Sequence, residues 1–452
     1  MVFNGRIRQD VQSFMESSKV HRDAMIAGGF IQGIEISAAN QLACFPRSAV
    51  LKCMVLRSMP PSHMLVMFQA WTAMKDRFKD VTDLKLELGE PAVLLQSTEI
   101  ELWHGAEIVS LMPLFFPKLG RLTLVMHQGA RSLLVRSDWA GMAATWAAMP
   151  AGLIDLRLIV PTTPPLSVMR DSLSSLTVIT VSGQLVPEQW IPLAKLPNLR
   201  HVTVGSLSCL GAAMPATATP EEWRRQWQPC RWETLVMDSF ESLLSDAVRL
   251  PLPVRHADKP ASGVHLKGEF MVAMAATVAM AAIDIRRNCS VLAECLDTVN
   301  MPLIIDGAGA GEGKIIAMAP LFARKDLFET DDKIQVVFIA SCAGHNIQEL
   351  RQVFPSILEI AFNYCAIAED VWSQLRSLPS IEILEFRFSP DNAICDVIRP
   401  LLELLAECLD WRDRRSIIRL FRGRQLIPPY RNTEEVSFDN NWTLREIFIP
   451  AE

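Results

Sequence analysis

The sequence predicts an α/β fold in which a short helix–strand unit recurs along the chain. The first observation is a phrase, apolar-Pro-x-apolar-x-x-apolar-x-apolar, which occurs at 116–124, 196–204, 354–362 and 378–386. The second is regular spacing, since Leu156, Ile179 and Val202 follow one another at intervals of 23 residues. The third is that apolar residues at helical spacing lie between these phrases.

The apolar half of each phrase predicts a short strand. A second regular series consists of Val337, Ile360 and Leu384, separated by 23 and 24 residues. In a strand, the residues between these apolar positions point to the other face of the sheet. Looser copies of the phrase centre on Ile34, Cys53, Leu84, Leu122, Leu235, Ile283 and Ile447.

The segments before the phrases predict helices. Apolar residues recur on one helical face in Asn346–Phe354, Glu369–Leu378 and Ser137–Met149. Proline then ends the helix, because it lacks the N–H group that a further turn needs and favours extended geometry in the residue before it. The predicted unit is therefore a helix, a proline break and a strand.

Neither half of this unit buries its apolar face alone, so copies must stack side by side. The result is an α/β solenoid with a concave parallel β-sheet and outer helices. At Ile357, Ile360, Phe362 and Cys365 the chain resembles the leucine-rich-repeat family, and the pattern returns at Met280, Ile283, Ile285 and Asn288. In other copies the ninth residue of the leucine-rich-repeat pattern is neither Asn nor Cys, so we expect the curvature of the solenoid to be uneven.

Composition narrows the class of protein. Of 452 residues half are hydrophobic, and the net charge is −6, which excludes a broad nucleic-acid-binding surface. Ten cysteines without a C-x-x-C pair indicate reduced thiols and a cytoplasmic or nuclear protein. The most apolar run, 271–283, is too short to cross a bilayer, and no signal peptide is evident, so no membrane association is expected.

Three regions are predicted along the chain. Residues 1–29 form a helical N-terminal cap, 30–255 a first repeat block, and 256–452 a second block with an irregular C-terminal segment. Ser17–Ala24 is similar to the closing helix of an F-box, although the Leu-Pro opening of that motif is missing. Thr219 is predicted to cap a helix, and Arg412–Arg431, with seven arginines, is interpreted as a solvated helix.

The clearest candidate for a ligand-binding site in the sequence is a glycine-rich loop at 307–314, between an apolar strand and Ile315. Such a loop can cradle a phosphate with successive N–H groups and a lysine, here Lys314. The residue that should hold magnesium is Ile315, and Glu312 adds a negative charge. A nucleotide-binding switch is thus an alternative, and a loop between repeats is the preferred interpretation.

No pattern predicts catalysis or a cofactor. The eight histidines show no metal-ligand spacing, and the sequence has no Gly-x-Ser-x-Gly elbow. His256 and His265 flank a predicted turn, but their separation alone does not define a site. We therefore expect no enzyme activity, no metal and no cofactor.

The preferred hypothesis is a non-catalytic scaffold that binds a protein through its concave surface; the oligomeric state stays open. A substrate-recognition subunit of a ubiquitin ligase is an alternative, which depends on the F-box resemblance. The residues expected to contact the partner are those between the apolar strand positions: Asp155, Arg157, Thr180, His201, Thr203, Glu359 and Glu385.

Overall fold

The computed structural model describes residues 33–36, 50–59, 61–88, 108, 111–126, 150–159, 173–208, 231–238, 241–259, 262–267, 280–299, 303–306, 311–327, 335–354, 357, 359–375, 383–388, 417–422 and 425–426. The predicted cap at 1–29, with its F-box-like segment, lies outside these residues. So do the predicted helices at 137–149 and from Thr219, and the predicted last strand at 444–449.

The protein has a mixed α/β fold, as the sequence predicts at the level of fold class, and the part of the chain that the structure describes contains two sheets. The first is a parallel sheet whose ten strands follow one another in sequence order. Its strands are β1 (Gly33–Ile36), β2 (Cys53–Met59), β3 (Asp83–Leu88), β4 (Arg121–Met126), β5 (Asp155–Ile159), β6 (Val178–Leu185), β7 (His201–Leu207), β8 (Thr234–Met237), β9 (Gly263–Leu266) and β10 (Leu296–Val299).

The second sheet has six strands, also in sequence order. Five of them are parallel and the last is antiparallel to its neighbour. They are β11 (Leu303–Asp306), β12 (Gln335–Cys342), β13 (Glu359–Ile367), β14 (Ile383–Phe388), β15 (Ile417–Arg422) and β16 (Gln425–Leu426).

Short helices lie between the strands. The described α-helices are α1 (Pro61–Trp71), α2 (Pro187–Ala194), α3 (Glu241–Asp246), α4 (Ala282–Cys295), α5 (Lys314–Ala317), α6 (Ala319–Phe322), α7 (Gly344–Val353) and α8 (Glu369–Leu375). Two 3₁₀-helices cover Thr72–Arg77 and Lys325–Leu327. The predicted helices at Asn346–Phe354 and Glu369–Leu378 are confirmed as α7 and α8. Within the described residues, no helix has the length and apolar character that crossing a membrane requires.

The chain separates into two compact units. Unit one comprises Met1–Gly205 and Gln226–Trp232, and unit two comprises Ser206–Arg225 and Glu233–Glu452. The boundary predicted near residue 255 lies within unit two.

In unit one the middle apolar residues of the repeats lie side by side. Leu84, Leu122, Leu156 and Ile179 occupy one register row across β3–β6, and none is more than 2 % exposed. Val202 lies buried on β7, the next strand of the sheet. The prediction that the segments of Leu156, Ile179 and Val202 form adjacent strands is therefore confirmed.

Successive strands of unit one begin in the same way. One carbonyl oxygen of each repeat accepts hydrogen bonds from two consecutive N–H groups at the start of the next strand. These carbonyls belong to Lys52, Thr82, Gly120, Ile154 and Thr177, with donor–acceptor distances of 2.8 to 3.0 Å. The repetition in sequence is thus a repetition in hydrogen bonding, which fixes the register from β3 to β7.

Helix α1 packs its apolar stripe into the core of unit one. Met64, Met67, Phe68 and Trp71 recur at helical spacing and are all buried. The Phe68 ring meets the Phe115 ring edge-on, with centroids 5.1 Å apart. Each such buried side chain contributes about 1.5–3 kcal/mol relative to exposure, so packing rather than helix propensity stabilises α1.

Two apolar positions predicted to face the core differ from the structure by one residue. Met54, not Cys53, shares the register row of Leu84, and Cys53 lies opposite Asp83 on the other face. In unit two, Val336 rather than Val337 aligns with Ile360. In both strands two adjacent residues are apolar, so apolar character alone does not show which of them faces the core.

The segment around Ile283 is a helix and not a repeat strand, so this part of the prediction is wrong. Ile283 lies in the first turn of α4 and is 76 % exposed. Asn288 is buried on the same helix, where its Nδ2 donates to the Leu244 carbonyl at 2.7 Å and the Ser245 carbonyl at 3.2 Å. It satisfies carbonyls at the end of α3 and takes no part in a strand-to-loop turn.

The arginine-rich segment also differs from its interpretation as a solvated helix. Residues 417–422 form β15, which pairs in parallel with β14, and 425–426 form β16. The apolar residues Ile417, Ile418, Leu420 and Phe421 between the arginines give this stretch strand character despite its charge.

Candidate functional site

In unit one, the outward side of the first sheet carries polar residues on all seven neighbouring strands, β1 to β7. Burial alternates along these strands: in β5, Leu156 and Leu158 are buried, whereas Arg157 and Ile159 are exposed. We call this side the polar face. Its polar members are Glu35, Arg57, Asp83, Lys85, Glu87, Arg121, Thr123, Asp155, Arg157, Thr180, His201 and Thr203.

Ion pairs connect neighbouring strands at the β1–β3 end of the polar face. Arg57 Nε lies 2.9 Å from Glu35 Oε1 and 3.8 Å from Glu87 Oε2. Lys85 Nζ lies 2.5 Å from Glu87 Oε1 on the same strand. Glu87 therefore joins two cations, and Arg57 joins two carboxylates.

The pairing continues through β4 and β5. Arg121 lies opposite Asp83 in the register, with 3.2 Å between its guanidinium and Oδ1. Arg157 donates from Nε and a terminal nitrogen to the two oxygens of Asp155, at 3.2 and 3.0 Å. The hydrogen bonds from Arg157 to Asp155 raise the pKa of the Arg157 guanidinium above its ordinary value.

Five of the predicted contact residues come together on this face. Arg157 and Thr180 are register partners on β5 and β6, and His201 and Thr203 follow on β7. Arg157 and His201 are exposed, while the two threonines are half-buried. Asp155 is only 8 % exposed, because Arg157 lies against its carboxylate.

The prediction that Glu359 and Glu385 lie on an open surface is wrong, because the structure buries both side chains. Both belong to the second sheet and are 8 % and 3 % exposed. Consecutive residues of a strand point to opposite faces, yet Val336, Val337 and Phe338 are all buried, so both faces of β12 are covered. Unbroken apolar runs such as Val336–Phe338 are the sequence signal of a strand buried on both sides.

Of the glycine-rich loop the structure describes 311–314, and there the Gly313 amide and the following amides of α5 are occupied by the chain itself. The Glu349 carboxylate, on α7, accepts hydrogen bonds from the N–H groups of Gly313, Ile315 and Ile316 at 2.6, 3.0 and 3.3 Å. Gly313 adopts a left-handed conformation with φ 82°, which turns its amide toward this carboxylate. A phosphate would have to displace Glu349 from these donors.

Sequence reasoning missed Glu349, although a signal for it exists. It follows Asn346 by three residues, on the buried side of α7 beside Leu350, and is 4 % exposed. Asn346 Oδ1 accepts a hydrogen bond from the Ala343 N–H group at 2.9 Å, which caps the start of the helix. A carboxylate on the inward side of an amphipathic helix requires donors, and the nearest glycine-rich loop provides them.

A second group of charged residues in unit two was also missed. Arg255 Nε lies 3.1 Å from Asp297 Oδ1, and a terminal nitrogen of Arg255 lies 2.9 Å from Asp326 Oδ2. His265 Nδ1 lies 2.9 Å from the Thr298 hydroxyl and 3.6 Å from Asp297 Oδ2. The hydroxyl and the carboxylate address the same ring nitrogen, so this arrangement is not a nucleophile–base–carboxylate relay.

Arg324 anchors this charged group to the end of α4. Its guanidinium donates to the carbonyls of Ala293 and Leu296 and forms two bonds, at 2.8 and 2.7 Å, with the Asp326 carboxylate. The hydrogen bond from Arg324, followed by that from Arg255, holds the pKa of Asp326 well below its usual range.

This lowered pKa predicts an acid-dependent loss of stability. An Asp whose pKa falls on folding stabilises the protein above its unfolded pKa of about 3.9 and loses that contribution as the pH falls toward the folded pKa. Because Asp326 is half-exposed, we expect the contribution to be at most about 1 kcal/mol. The difference in unfolding free energy between wild type and Asp326→Asn, measured from pH 6 to 2, should therefore be constant above about pH 5 and shrink progressively as the pH falls below about 4.

The matched control is Asp258→Asn, which removes an exposed carboxylate from the turn after Arg255. We expect this variant to keep a constant difference from wild type across the same range. A constant difference for Asp326→Asn as well would contradict the assigned cause of its pKa shift.

The buried thiols of Cys289 and Cys342 have little nucleophilic character at neutral pH. Burial raises the pKa of Cys289 to about 12, and burial also raises the pKa of Cys342. Thiols with such pKa values stay protonated and unreactive.

Among the described residues, no group of three or more His, Cys, Asp or Glu side chains is arranged to hold a metal ion. The polar face in unit one is therefore the candidate site that combines exposure, breadth and ordered charge. Compared with known proteins, the chain matches no family model and no curated protein.

Proposed function

We propose that the chain is a non-catalytic protein-binding scaffold of the leucine-rich-repeat type, and that the polar face of unit one binds the partner protein. The observation that carries this proposal is the alternation across β3–β7, where one side is apolar and buried and the other is polar and open. The recurring hydrogen bonds at the strand starts support the repeat architecture.

The balance of charge on the polar face favours a protein over a nucleic acid. Its four cations, Arg57, Lys85, Arg121 and Arg157, are matched by four carboxylates, those of Glu35, Asp83, Glu87 and Asp155. A polyphosphate requires an excess of positive charge, which this face lacks. A partner protein that carries charges of both signs can pair with the charged groups of the polar face by electrostatic complementarity.

The energetics of the ion pairs also suit recognition. Exposed pairs contribute only about 0–1 kcal/mol each to folding, since water and salt screen them. When charged groups of a bound protein replace these ion-pair partners, the protein therefore loses little folding free energy. The β5–β7 end adds hydrogen-bonding groups without net charge at Thr180 and Thr203, which can fix the orientation of the partner.

Charge reversal on the polar face tests the proposal. The double variant Arg121→Glu, Arg157→Glu replaces two cations of the face and should reduce capture of the partner by at least about tenfold, the effect of roughly 1.4 kcal/mol. Full-length wild type and variant are used as baits in extracts of the native cells, and bound proteins are compared by quantitative mass spectrometry.

The control is Lys75→Glu, Lys79→Glu, which changes the net charge by the same amount at exposed positions of unit one outside the polar face. It should retain the captured proteins, and circular dichroism should show that both variants are folded. Equal capture by wild type and the face variant would refute the proposed binding surface.

A further inference from the structure

The charges of the polar face are balanced in number but not in exposure. In each ion pair the cation is the more exposed partner. The side chains of Arg57, Lys85, Arg121 and Arg157 are 43, 42, 64 and 54 % exposed, against 32, 14, 33 and 11 % for Glu35, Glu87, Asp83 and Asp155. These eight are all the charged residues of β1–β5. The carboxylates therefore form a lower layer, and the outermost charged groups of this part of the face are cationic.

The two most exposed cations lie on adjacent strands and retain hydrogen-bond donors. Arg157 folds back along β5 onto Asp155, which is the register partner of Arg121 on β4. The axes of adjacent strands are about 4.8 Å apart. Of the five N–H donors of a guanidinium, Arg121 uses one on Asp83 and Arg157 uses two on Asp155 within the described residues. The remaining donors can bind a carboxylate in the two-bond geometry typical of arginine.

An exposed apolar residue lies beside these cations. Ile159, two residues after Arg157 on the same side of β5, is 43 % exposed, and its register partner Val125 is half-buried. Residues two apart in a strand are separated by about 6.6 Å, and an extended peptide repeats this spacing on one of its own sides. A segment with a carboxylate and an apolar side chain two positions apart therefore matches Arg157 and Ile159 together.

We propose that the β4–β5 part of the polar face binds an acidic segment of the partner protein, in which an apolar residue lies two positions from a Glu or Asp. This inference rests on the proposed function, because it names the chemistry of the partner at the same surface. The carboxylates of the segment pair with the exposed guanidiniums of Arg121 and Arg157, and its apolar residue packs on Ile159.

A nucleic acid fits the same surface less well. The lower layer of carboxylates cancels the positive charge that closely spaced phosphates require. In addition, the described strands β1–β7 contain no Phe, Tyr or Trp on which a base could stack. An acidic peptide needs neither a net positive charge nor a stacking ring.

Fluorescence anisotropy of a short peptide with a neutral label tests the inference on the full chain. The probe is a capped Gly-Glu-Glu-Ser-Leu-Glu-Gly peptide, which should bind with a Kd of the order of 100 μM at low salt. Glutamine in place of every glutamate should weaken binding at least about tenfold, and serine in place of leucine at least about threefold. Equal binding of either altered peptide would overturn the proposal. Tighter binding of a lysine version, or of an oligothymidylate, would overturn it as well.

Substitutions on the face locate the bound peptide. The double variant Arg121→Gln, Arg157→Gln should bind the glutamate peptide at least about tenfold more weakly. Asp83→Asn should bind it at least about twofold more tightly, because Arg121 is then left to the peptide. The control Lys75→Gln, Lys79→Gln removes the same charge at exposed positions outside the face and should stay within about twofold of wild type.

Two results from these variants would refute the acidic partner. Unchanged binding by the double arginine variant would place the peptide elsewhere, and weaker binding by Asp83→Asn would show that the carboxylates also serve the ligand. Failure of the proposed function is a different result. If the charge-reversed variant Arg121→Glu, Arg157→Glu loses its captured proteins while no acidic peptide binds, the polar face stands as the binding surface and only the acidic partner is refuted.

Discussion

Replacing Glu349 by alanine is expected to lower the free energy of unfolding of unit two by about 3–5 kcal/mol. The carboxylate accepts hydrogen bonds from Gly313, Ile315 and Ile316 at a position that is 4 % exposed. Alanine leaves three amide donors without a partner and creates a cavity under α5. Glutamine retains one acceptor oxygen but turns an NH₂ group toward the amides, so we expect about half of the loss.

Hydrogen exchange measures this effect where it arises. In wild type the amides of Gly313, Ile315 and Ile316 should be protected, and in Glu349→Ala their exchange should accelerate by at least about a hundredfold, in line with the expected loss of stability. The matched control is Gln348→Ala, an exposed change on the same helix, which should stay within about 0.5 kcal/mol of wild type. Unchanged protection in Glu349→Ala would show that the carboxylate does not hold the loop.

Glu349 also shows where sequence reasoning reaches its limit. The glycines at 307–313 and Lys314 indicate a loop that can bind an anion, and at the described end of this loop the Gly313 amide donates to a carboxylate. The glycine-rich sequence does not show that the anion is a carboxylate of the same chain. Glu349 lies more than 30 residues later, and only the packing of α7 against α5 brings it close to these amides. Local composition identifies the donors, whereas tertiary structure selects the acceptor.

The register of β3 to β7 could be predicted, whereas the registers of β2 and of unit two could be predicted only in part, for a physical reason. In β5 the sequence Asp155-Leu156-Arg157-Leu158 alternates, so polarity alone assigns each residue to a face. In β12 the run Val336-Val337-Phe338 does not alternate, and a shift by one residue leaves the pattern unchanged. The same ambiguity made Glu359 and Glu385 resemble surface residues, although both side chains are buried.

The helix at Ala282–Cys295 shows the opposite failure, in which a strand pattern occurred inside a helix. Met280, Ile283 and Ile285 match the apolar spacing of a repeat, but Ile285, Cys289 and Leu292 match a helical stripe equally well and are the residues that the structure buries. Length decides between the two, since a buried stripe that extends from Ile285 to Cys295 exceeds the usual strand.

Replacing Phe362 by alanine is expected to lower the free energy of unfolding of unit two by about 3–5 kcal/mol. Phe338, Phe362 and Phe386 occupy one register row across β12–β14, and their rings stack with centroid separations of 5.8 and 5.2 Å. Phe362 is the middle ring, so its removal breaks both contacts and leaves a cavity that the rigid strands cannot close. Phe362→Leu keeps most of the volume and should cost about 1–1.5 kcal/mol.

Denaturant unfolding followed by tryptophan fluorescence provides the measurement, because Trp372 packs 6.0 Å from Phe386 and reports on the same core. Ile283→Ala is the matched control. The repeat pattern assigns Ile283 to a buried strand, where truncation costs about 2–5 kcal/mol. The structure assigns it to the exposed first turn of α4, where alanine should change stability by less than about 0.5 kcal/mol. A large loss of stability in Ile283→Ala together with a small loss in Phe362→Ala would contradict the exposure of Ile283 and the burial of Phe362 in unit two.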